Sequence, residues 1–295
     1  MSLRFAAWKS WEPVEYFREY FSQQVEPDEQ AGIRFQVEFL QRAGREFPRA
    51  LDYGCGPTLM RAIAVSRYVA ALDMADRLDE NLQRVRRWAS GDPRADDWSL
   101  FTEYVLRCEG VSEPSREGVL AREFHTRSVL SELLLTDARE RNPLGPARVD
   151  GYDLLISSFC VDCLTKSKAV WRRCMCNVFG LLKPGGSFVI QALRSCEGYR
   201  VGAQWFPGAN IQSSDFESVL LECGADPATL ELSELDLPSH ANQGYEGILM
   251  ASGHTNGRRA RVPSRSRTLV ATAARPHTSV ATDADTPSVQ LSRPS

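Results

Sequence analysis

The stretch Pro48-Arg-Ala-Leu-Asp-Tyr-Gly-Cys-Gly-Pro-Thr58 predicts how this chain folds. Its apolar residues suffice for one short buried strand, and its two glycines allow a tight turn that keeps side chains away from a ligand. The next residues, 59–69, are typical of a helix that leads into a second strand. Strand, glycine turn and helix N-terminus together favour a nucleotide-like ligand. Because Leu59 stands at the third glycine position of the dinucleotide fingerprint, an ordinary strand-to-helix turn is an equal alternative.

Two acids follow predicted strands. We expect the second strand to end at Asp73, roughly 20 residues after the glycine turn, where a carboxylate can accept both hydroxyls of a ribose. Asp137 comes just past the strand predicted within 129–137, where it can accept an adenine amino group, although a helix cap or turn residue fits equally well. With the later tract Leu182-Lys-Pro-Gly-Gly186, these features resemble a class I methyltransferase that uses S-adenosylmethionine.

Composition limits the class of protein. The formal net charge of -3 argues against non-specific binding to nucleic acid, which depends on a basic surface. No apolar run is long enough for a membrane span, and the N-terminus lacks the apolar core of a signal peptide. We therefore expect a cytoplasmic protein with no membrane partner, and a monomer, although no sequence feature fixes the oligomeric state.

The eight cysteines are expected to be reduced thiols. Cys160 and Cys163 have C-x-x-C spacing, but the four histidines are scattered and none lies near them. We predict no metal site and interpret these cysteines as small buried residues.

Strands that alternate with helices predict an α/β layer fold. Helical patterns with an aromatic stripe precede the first strand, as core packing or as a lid. The expected organisation is a helical N-terminal lid at residues 1–45, a methyltransferase domain at 46–251 and a disordered tail at 252–295. The tail is rich in arginine, serine, threonine and alanine and has no apolar periodicity.

The motifs narrow the resemblance further. The chain resembles the family of nicotinamide, phenylethanolamine and indolethylamine N-methyltransferases over roughly residues 8–251. The similarity rests on tracts in the family's order: Glu15-Tyr-Phe-Arg-Glu-Tyr-Phe21, Leu51-Asp-Tyr-Gly-Cys-Gly-Pro-Thr58, Asn81-Leu-Gln, Asp97-Trp98, Asn142-Pro-Leu-Gly145, Ser158-Phe-Cys-Val-Asp162, Leu181-Leu-Lys-Pro-Gly-Gly186 and Glu246-Gly247. The resemblance implies a Rossmann-like class I fold with a seven-stranded, mostly parallel sheet that contains one antiparallel strand.

The resemblance also implies which residues bind S-adenosylmethionine. Tyr16 closes over the carboxylate end of the cofactor, Asp73 holds the ribose, and Asp137 and Ala138 flank the adenine. The full set of cofactor residues expected is Tyr16, Phe21, Gly54, Gly56, Thr58, Met60, Asp73, Asn81, Asp137, Ala138 and Ser158.

On the acceptor side, the resemblance implies that Asp162 faces the substrate, to orient an ammonium group or receive its proton. A structural acid that caps the following helix is the alternative. Gln191 occupies a position that is acidic in two of the named enzymes and can orient an amine without balancing its charge. We expect Asp162 and Gln191 to be catalytic. The acceptor is expected to contact Phe159, Asp162, Gln191, Tyr199, Trp205 and Tyr245.

Other differences from the family pattern lie among the residues expected to bind the cofactor. Phe21 and Met60 stand where the family often has tyrosine, so hydroxyl contacts are lost. The segment between Asp73 and Asn81 is a few residues longer than expected.

The predicted function is in-line transfer of a methyl group from S-adenosylmethionine to a nitrogen of a small amine or azaheterocycle. The alternatives are an O- or C-methyltransferase of the same fold and a non-catalytic binding scaffold. A dehydrogenase is a distant third, because the glycine pattern does not suit a pyrophosphate.

Overall fold

The computed structural model describes residues 6–145 and 151–256, and the expected tail lies almost wholly outside these ranges. None of the helices in the described ranges has the length and apolar character that a bilayer crossing requires.

A seven-stranded sheet forms the centre of the fold, in the order β3-β2-β1-β4-β5-β9-β8. Strands β1 to β5 pair in parallel with one another, whereas β9 is antiparallel to both of its neighbours, β5 and β8. This topology confirms the fold class expected from the sequence. The strands are β1 (Ala50–Tyr53), β2 (Leu72–Asp76), β3 (Leu130–Leu135), β4 (Tyr152–Ser158), β5 (Leu182–Arg194), β8 (Glu231–Asp236) and β9 (Gly247–His254), and a separate hairpin pairs β6 (Gly198–Val201) with β7 (Gln204–Pro207).

Helices cover both faces of the sheet. They are α1 (Pro13–Tyr20), α2 (Pro27–Ala43), α3 (Met60–Val65), α4 (Asp79–Ala89), α5 (Ser99–Cys108), α6 (Arg116–Val129), α7 (Lys168–Phe179) and α8 (Ser213–Glu222), with short 3₁₀ helices at Trp8–Ser10, Ser66–Tyr68, Val161–Cys163 and Pro238–Gln243.

The central strands contribute to a hydrophobic core on each face of the sheet. In β4, Leu154 and Ile156 pack in the core that includes α2 to α5, whereas Leu155 packs in the core on the side of α7 and α8. Successive side chains of a strand point to opposite faces, so a strand covered on both faces is apolar throughout. This is why β1 and β4 could be recognised as short apolar runs.

Three features differ from the sequence-based expectation. β2 continues three residues beyond Asp73 to Asp76. β9 runs to His254, so the sheet extends three residues past the expected domain end at 251. Cys176 and Cys223 form a disulfide that joins α7 to the end of α8, so the expectation of uniformly reduced thiols is wrong.

Candidate active site

A cavity of about 1360 Å³, including its mouth, opens at the carboxyl ends of β1, β2, β3 and β4. Ligands of open α/β sheets bind at this edge, just outside the ends of the strands. Residues of α1, the start of α2 and the segment 238–245 complete its walls. The sheet therefore supplies the floor of the cavity, and the N-terminal helices supply part of its cover.

The glycine turn after β1 approaches the cavity closely. Gly54 has a φ of +71°, and a Cβ built on it would lie 1.9 Å from the Sγ of Cys160. Gly56 has a φ of +60°, and around it the nearest atom to such a Cβ is 4.0 Å away. Gly54 is thus required by packing against the loop after β4, whereas Gly56 leaves open space beside the backbone.

The acid at the end of β2 is Asp76. It lines the cavity and is 7% exposed. Its Oδ2 accepts a hydrogen bond from Gly56 N (2.9 Å), and its Oδ1 accepts from Leu78 N (2.8 Å) and from the Asn81 side-chain amide (3.0 Å). Burial raises the pKa of Asp76, and these hydrogen bonds oppose the rise. The carboxylate is therefore fixed against the glycine turn at the position where a ribose diol can be bound.

The prediction that Asp73 holds the ribose is wrong. Asp73 lies within β2, is fully buried and does not line the cavity. Its Oδ2 accepts hydrogen bonds from the Arg49 guanidinium (2.8 Å) and the Tyr152 hydroxyl (2.8 Å). The error arose because β2 was expected to end early; with Asp76 in its place, Asn81 follows five residues later, and the apparent extra length disappears.

The other cofactor residues expected from the sequence all line the cavity: Tyr16, Phe21, Gly54, Gly56, Thr58, Met60, Asn81, Asp137, Ala138 and Ser158. Asp137 follows β3 and forms an ion pair with Arg139. The side-chain hydrogen bond from Arg139 lowers the pKa of Asp137. Ala138 is buried, and its carbonyl accepts a hydrogen bond from the Asn177 side chain (2.9 Å).

On the acceptor side, Phe159, Tyr199 and Tyr245 line the cavity, whereas Trp205 does not. Phe159 has a φ of +52°, which is rare for a residue with a side chain and places it at the turn after β4. The Trp205 carbonyl accepts a hydrogen bond from Ala6 N (2.8 Å), and its ring packs beside Gly244. Trp205 therefore supports the wall of the cavity from behind.

The two residues expected to be catalytic also lie outside the cavity lining. Asp162 is 3% exposed, and its Oδ2 accepts a hydrogen bond from Leu193 N (2.9 Å). Burial raises the pKa of Asp162 to about 6. Gln191 is 1% exposed and donates from Nε2 to the Gly32 carbonyl (2.9 Å). Both side chains connect β5 to neighbouring elements, so their assignment as catalytic residues is corrected to a structural role.

Sequence reasoning missed a polar cluster at the inner end of the cavity, formed by Asp28, Glu29, Asp52 and Arg61. Glu29 and Arg61 form an ion pair of 2.6 Å between side chains that are almost fully buried. Burial raises the pKa of both Glu29 and Asp52 to about 7, and the positive charge of Arg61 opposes the rise in each case. Asp52 lies two residues before Gly54, and this position beside the glycine turn was the sequence signal that could have identified a member of this cluster.

The lining as a whole is acidic. Carboxylates outnumber guanidinium groups by six to two: Glu26, Asp28, Glu29, Asp52, Asp76 and Asp137 against Arg61 and Arg77. Such a lining favours positively charged ligands. Within the described ranges, no group of three or more histidine, cysteine or acidic side chains has an arrangement that could hold a metal ion.

Aromatic rings of the N-terminal segment also line the cavity. Trp11 contacts Tyr16 at a ring-centroid distance of 4.7 Å and Phe206 of the β6–β7 hairpin at 5.2 Å. The Trp11 indole also donates a hydrogen bond to the Asn81 side chain (3.1 Å). The tryptophans at 8 and 11 were not expected to belong to the site. They connect the N-terminal segment to both α4 and the hairpin.

Two of the similar relatives are N-methyltransferases of mammals. Indolethylamine N-methyltransferase of Oryctolagus cuniculus is 26% identical over 219 residues, which are 72% of this chain and 82% of that protein. Nicotinamide N-methyltransferase of Homo sapiens is 29% identical over 176 residues, which are 59% of this chain and 64% of that protein. Among solved structures, the DhpI–SAH complex aligns with a TM-score of 0.50 at 11% identity over 83% of this chain and 94% of that chain, a likeness of fold alone.

The decisive match is to a family model. The model described as the NNMT/PNMT/TEMT family matches residues 3–254, which include every strand of the sheet and every residue of the cavity. The chain therefore belongs to the NNMT/PNMT/TEMT family of S-adenosylmethionine-dependent methyltransferases.

Proposed function

We propose that this protein transfers the methyl group of S-adenosylmethionine to a nitrogen atom of a small amine or azaheterocycle. The observation that carries the proposal is a single cavity in which a nucleoside-type site at Asp76 continues into an aromatic, acidic chamber. Both named relatives are N-methyltransferases. Their names therefore favour methyl transfer to nitrogen over O- or C-methylation and over a non-catalytic scaffold.

The residues present fit the cofactor. Asp76 supplies a carboxylate for the ribose hydroxyls, and Asp137 with Ala138 lies at the edge where an adenine can be recognised. Asp52 is 2% exposed and lines the cavity, and its carboxylate has no hydrogen-bond partner among the described residues, so it can accept the α-ammonium group of the methionine part. Gly56 leaves the space that a ligand beside the turn requires.

The cofactor supplies a methyl group already activated by a positively charged sulfur. The contribution of the chain is alignment: its walls hold the acceptor nitrogen in line with the methyl carbon and exclude water. A primary or secondary ammonium must first lose a proton, which a cavity carboxylate or a water molecule can take. With the cofactor bound, the nitrogen lone pair would form the new N–C bond, and the electrons of the broken C–S bond would stay on sulfur.

The N-terminal segment is part of this proposal. We infer that residues 1–45 act as a lid over the cofactor, because described residues of this segment line the cavity and bond to the hairpin. The remaining sequence-based expectations stay predictions: a cytoplasmic location, a monomer, and no nucleic-acid partner.

The experiment is incubation of the full chain with methyl-labelled S-adenosylmethionine and pooled small amines and azaheterocycles, followed by identification of labelled products by mass. Label in a nitrogen compound is expected. Glu80→Gln, an exposed change on α4, is the control and should label the same product. Absence of label from every pooled compound, despite cofactor binding measured by calorimetry, would contradict the proposed function and favour a binding scaffold.

A further inference from the structure

The polar cluster at the inner end of the cavity carries more negative than positive charge. Asp28, Glu29 and Asp52 share the single guanidinium of Arg61, and Arg61 is committed to Glu29 at 2.6 Å. Among the described residues, no ion pair involves Asp28 or Asp52. Two buried carboxylates therefore lack a cation, and a buried carboxylate without a cation is costly unless a ligand supplies one.

Asp28 is held in a defined orientation. It is 7% exposed, at the second position of α2, and lines the cavity. Its Oδ1 accepts a hydrogen bond from Glu29 N (2.8 Å), and its Oδ2 accepts from the Tyr245 hydroxyl (2.8 Å). Each carboxylate oxygen can accept two hydrogen bonds, so both oxygens retain capacity for a ligand.

Three tyrosines, Tyr16, Tyr20 and Tyr245, line the cavity together with this carboxylate. Burial raises the pKa of Tyr245, Tyr20 and Tyr16, and the negative charge of Asp28 adds to the rise in all three. Tyr16 and Tyr20 contact each other at 5.2 Å between centroids. A carboxylate bordered by aromatic rings is a suitable environment for an ammonium group, because the ring faces also attract cations.

Asp52 gives an independent indication that the cavity takes cations. Its side chain is almost fully buried, has no hydrogen-bond partner among the described residues and faces the same cavity. Asp52 and the glycine turn line the same cavity, so Asp52 would hold the α-ammonium group of the methionine part when the cofactor is bound. Asp28, which lines the same cavity and has no ion-pair partner among the described residues, remains available to a cation of the acceptor.

Strand β5 does not supply a negative charge for the acceptor at the position of Gln191. Gln191 of β5 is neutral, and its amide is bonded to the Gly32 carbonyl, one turn further along α2. Charge recognition at this end of the cavity therefore belongs to the N-terminus of α2.

We propose that Asp28 binds the ammonium group of the methyl acceptor, and that the acceptor is therefore an amine protonated at neutral pH rather than a neutral azaheterocycle. This inference rests on the proposed function and specifies its substrate class. Tyr245 orients the carboxylate, and the tyrosines of α1 border the nitrogen.

The test is calorimetric binding of benzylamine and benzyl alcohol to the full chain saturated with S-adenosylhomocysteine, near neutral pH. The two probes have the same shape, but only the amine is a cation. We expect the amine to bind at least about tenfold more tightly than the alcohol. Asp28→Asn should remove most of that preference and leave the alcohol affinity within about threefold, because the amide preserves the shape of the site and loses its charge.

Asp79→Asn is the matched control, since Asp79 is an exposed acid in the first turn of α4. It should leave the ratio of the two affinities unchanged. A structural defect would weaken both probes, whereas loss of the charge contact weakens the amine alone.

Equal affinity for amine and alcohol in the unmodified protein, failure of the amine to bind, or a preference that survives in Asp28→Asn would each overturn the inference. Methyl transfer to the pooled compounds is scored separately. Nitrogen methylation that Asp28→Asn leaves unchanged would overturn only the role of Asp28, whereas absence of methylation would overturn the proposed function.

Discussion

At the scale of single residues, the site depends on how Asp76 is held. Three donors from the glycine turn, the start of α4 and Asn81 fix its carboxylate at the cavity edge. Asp73, three residues earlier on the same strand, is fully buried and is bonded to Arg49 and Tyr152. The aspartate at position 76 thus faces the ligand site, whereas the aspartate at position 73 has a structural role.

The different roles of Asp73 and Asp76 can be tested by comparing Asp76→Asn with Asp73→Asn. We expect Asp76→Asn to weaken S-adenosylhomocysteine binding by at least about tenfold, because a charged acceptor for hydroxyl groups is lost. Asp73→Asn should lower the melting temperature, because it weakens the bonds of the buried Asp73 carboxylate to Arg49 and Tyr152, while the affinity of the folded protein changes little. Calorimetry and thermal unfolding measure the two effects, and a larger affinity loss in Asp73→Asn would contradict the assignment.

Asp52 predicts a pH dependence. Burial raises the pKa of Asp52 to about 7, with Arg61 opposing and Asp76 adding to the rise, so the free protein favours the neutral acid. Stability from this group is full below its ordinary pKa of 3.8 and is lost as pH rises through about 7. An ammonium ligand requires the carboxylate, so cofactor affinity should fall as pH drops below about 7, by up to about tenfold per unit.

The measurement is the Kd of S-adenosylhomocysteine at several pH values between about 5.5 and 8.5. Glu29 titrates in the same range, with its pKa also raised to about 7 by burial. Asp52→Asn separates the contributions of Asp52 and Glu29. This variant should bind S-adenosylhomocysteine more weakly at high pH, and its Kd should depend less on pH. A profile that keeps its full slope in Asp52→Asn would assign the dependence to another group.

At the scale of elements, the turn after β1 and the loop after β4 fit together at one point. Gly54 and Cys160 approach so closely that no side chain fits at position 54. The same contact fixes the backbone that leads to Gly56 and thus the donor to Asp76. The cofactor site is therefore built from the packing of two strand ends.

Gly54→Ala tests this packing, with Gly91→Ala as its matched control. Both glycines have a φ of +71°, but a Cβ on Gly91 meets nothing within 4 Å. Gly91→Ala should cost about 1 kcal/mol from backbone strain alone. Gly54→Ala should cost about 1–3 kcal/mol more because of the steric clash, and should weaken cofactor binding. If urea unfolding gives the same loss of free energy of unfolding for both variants, the Cys160 side chain moves aside without destabilising the fold.

The element scale also shows what the sequence could predict. Apolar runs identified β1, β4 and β5, because strands covered on both faces are apolar throughout. The end of β2 was misplaced, since Asp73 interrupts its apolar run and the partners that neutralise it, Arg49 and Tyr152, are 24 and 79 residues away. Such long-range pairing leaves no local signal in the sequence.

At the scale of the whole molecule, the cavity draws its walls from distant parts of the chain. The glycine turn and the acids after the strands could be predicted, because they belong to one local motif. The orientation of Asp162 and Gln191 could not, since it depends on contacts with Leu193 and with Gly32 of another element. The acidic start of α2 enters the site only because the chain folds that helix over the sheet edge.

The disulfide between Cys176 and Cys223 is the other long-range feature. It closes a segment of 47 residues between α7 and the end of α8, and neither cysteine lines the cavity. Chain-entropy arguments predict a stabilisation of about 4 kcal/mol for such a loop. Reduction should therefore lower the free energy of unfolding while leaving cofactor affinity unchanged.

Cys176→Ala should abolish the difference in stability between oxidised and reduced protein. Cys174→Ala is the matched control, because Cys174 is a free, buried cysteine on the same helix. It should retain the full difference. If reduction leaves urea unfolding of the unmodified protein unchanged, the crosslink contributes nothing to stability.

The central claim is that a cavity at the strand ends aligns a nitrogen with the methyl group of S-adenosylmethionine. The most direct measurement uses cofactor labelled with ¹³C at the methyl group and an acceptor amine labelled with ¹⁵N, and observes the product by NMR. The account predicts a methyl carbon signal split by one-bond coupling to ¹⁵N. A labelled methyl product without that coupling would place the methyl group on another atom and contradict the account.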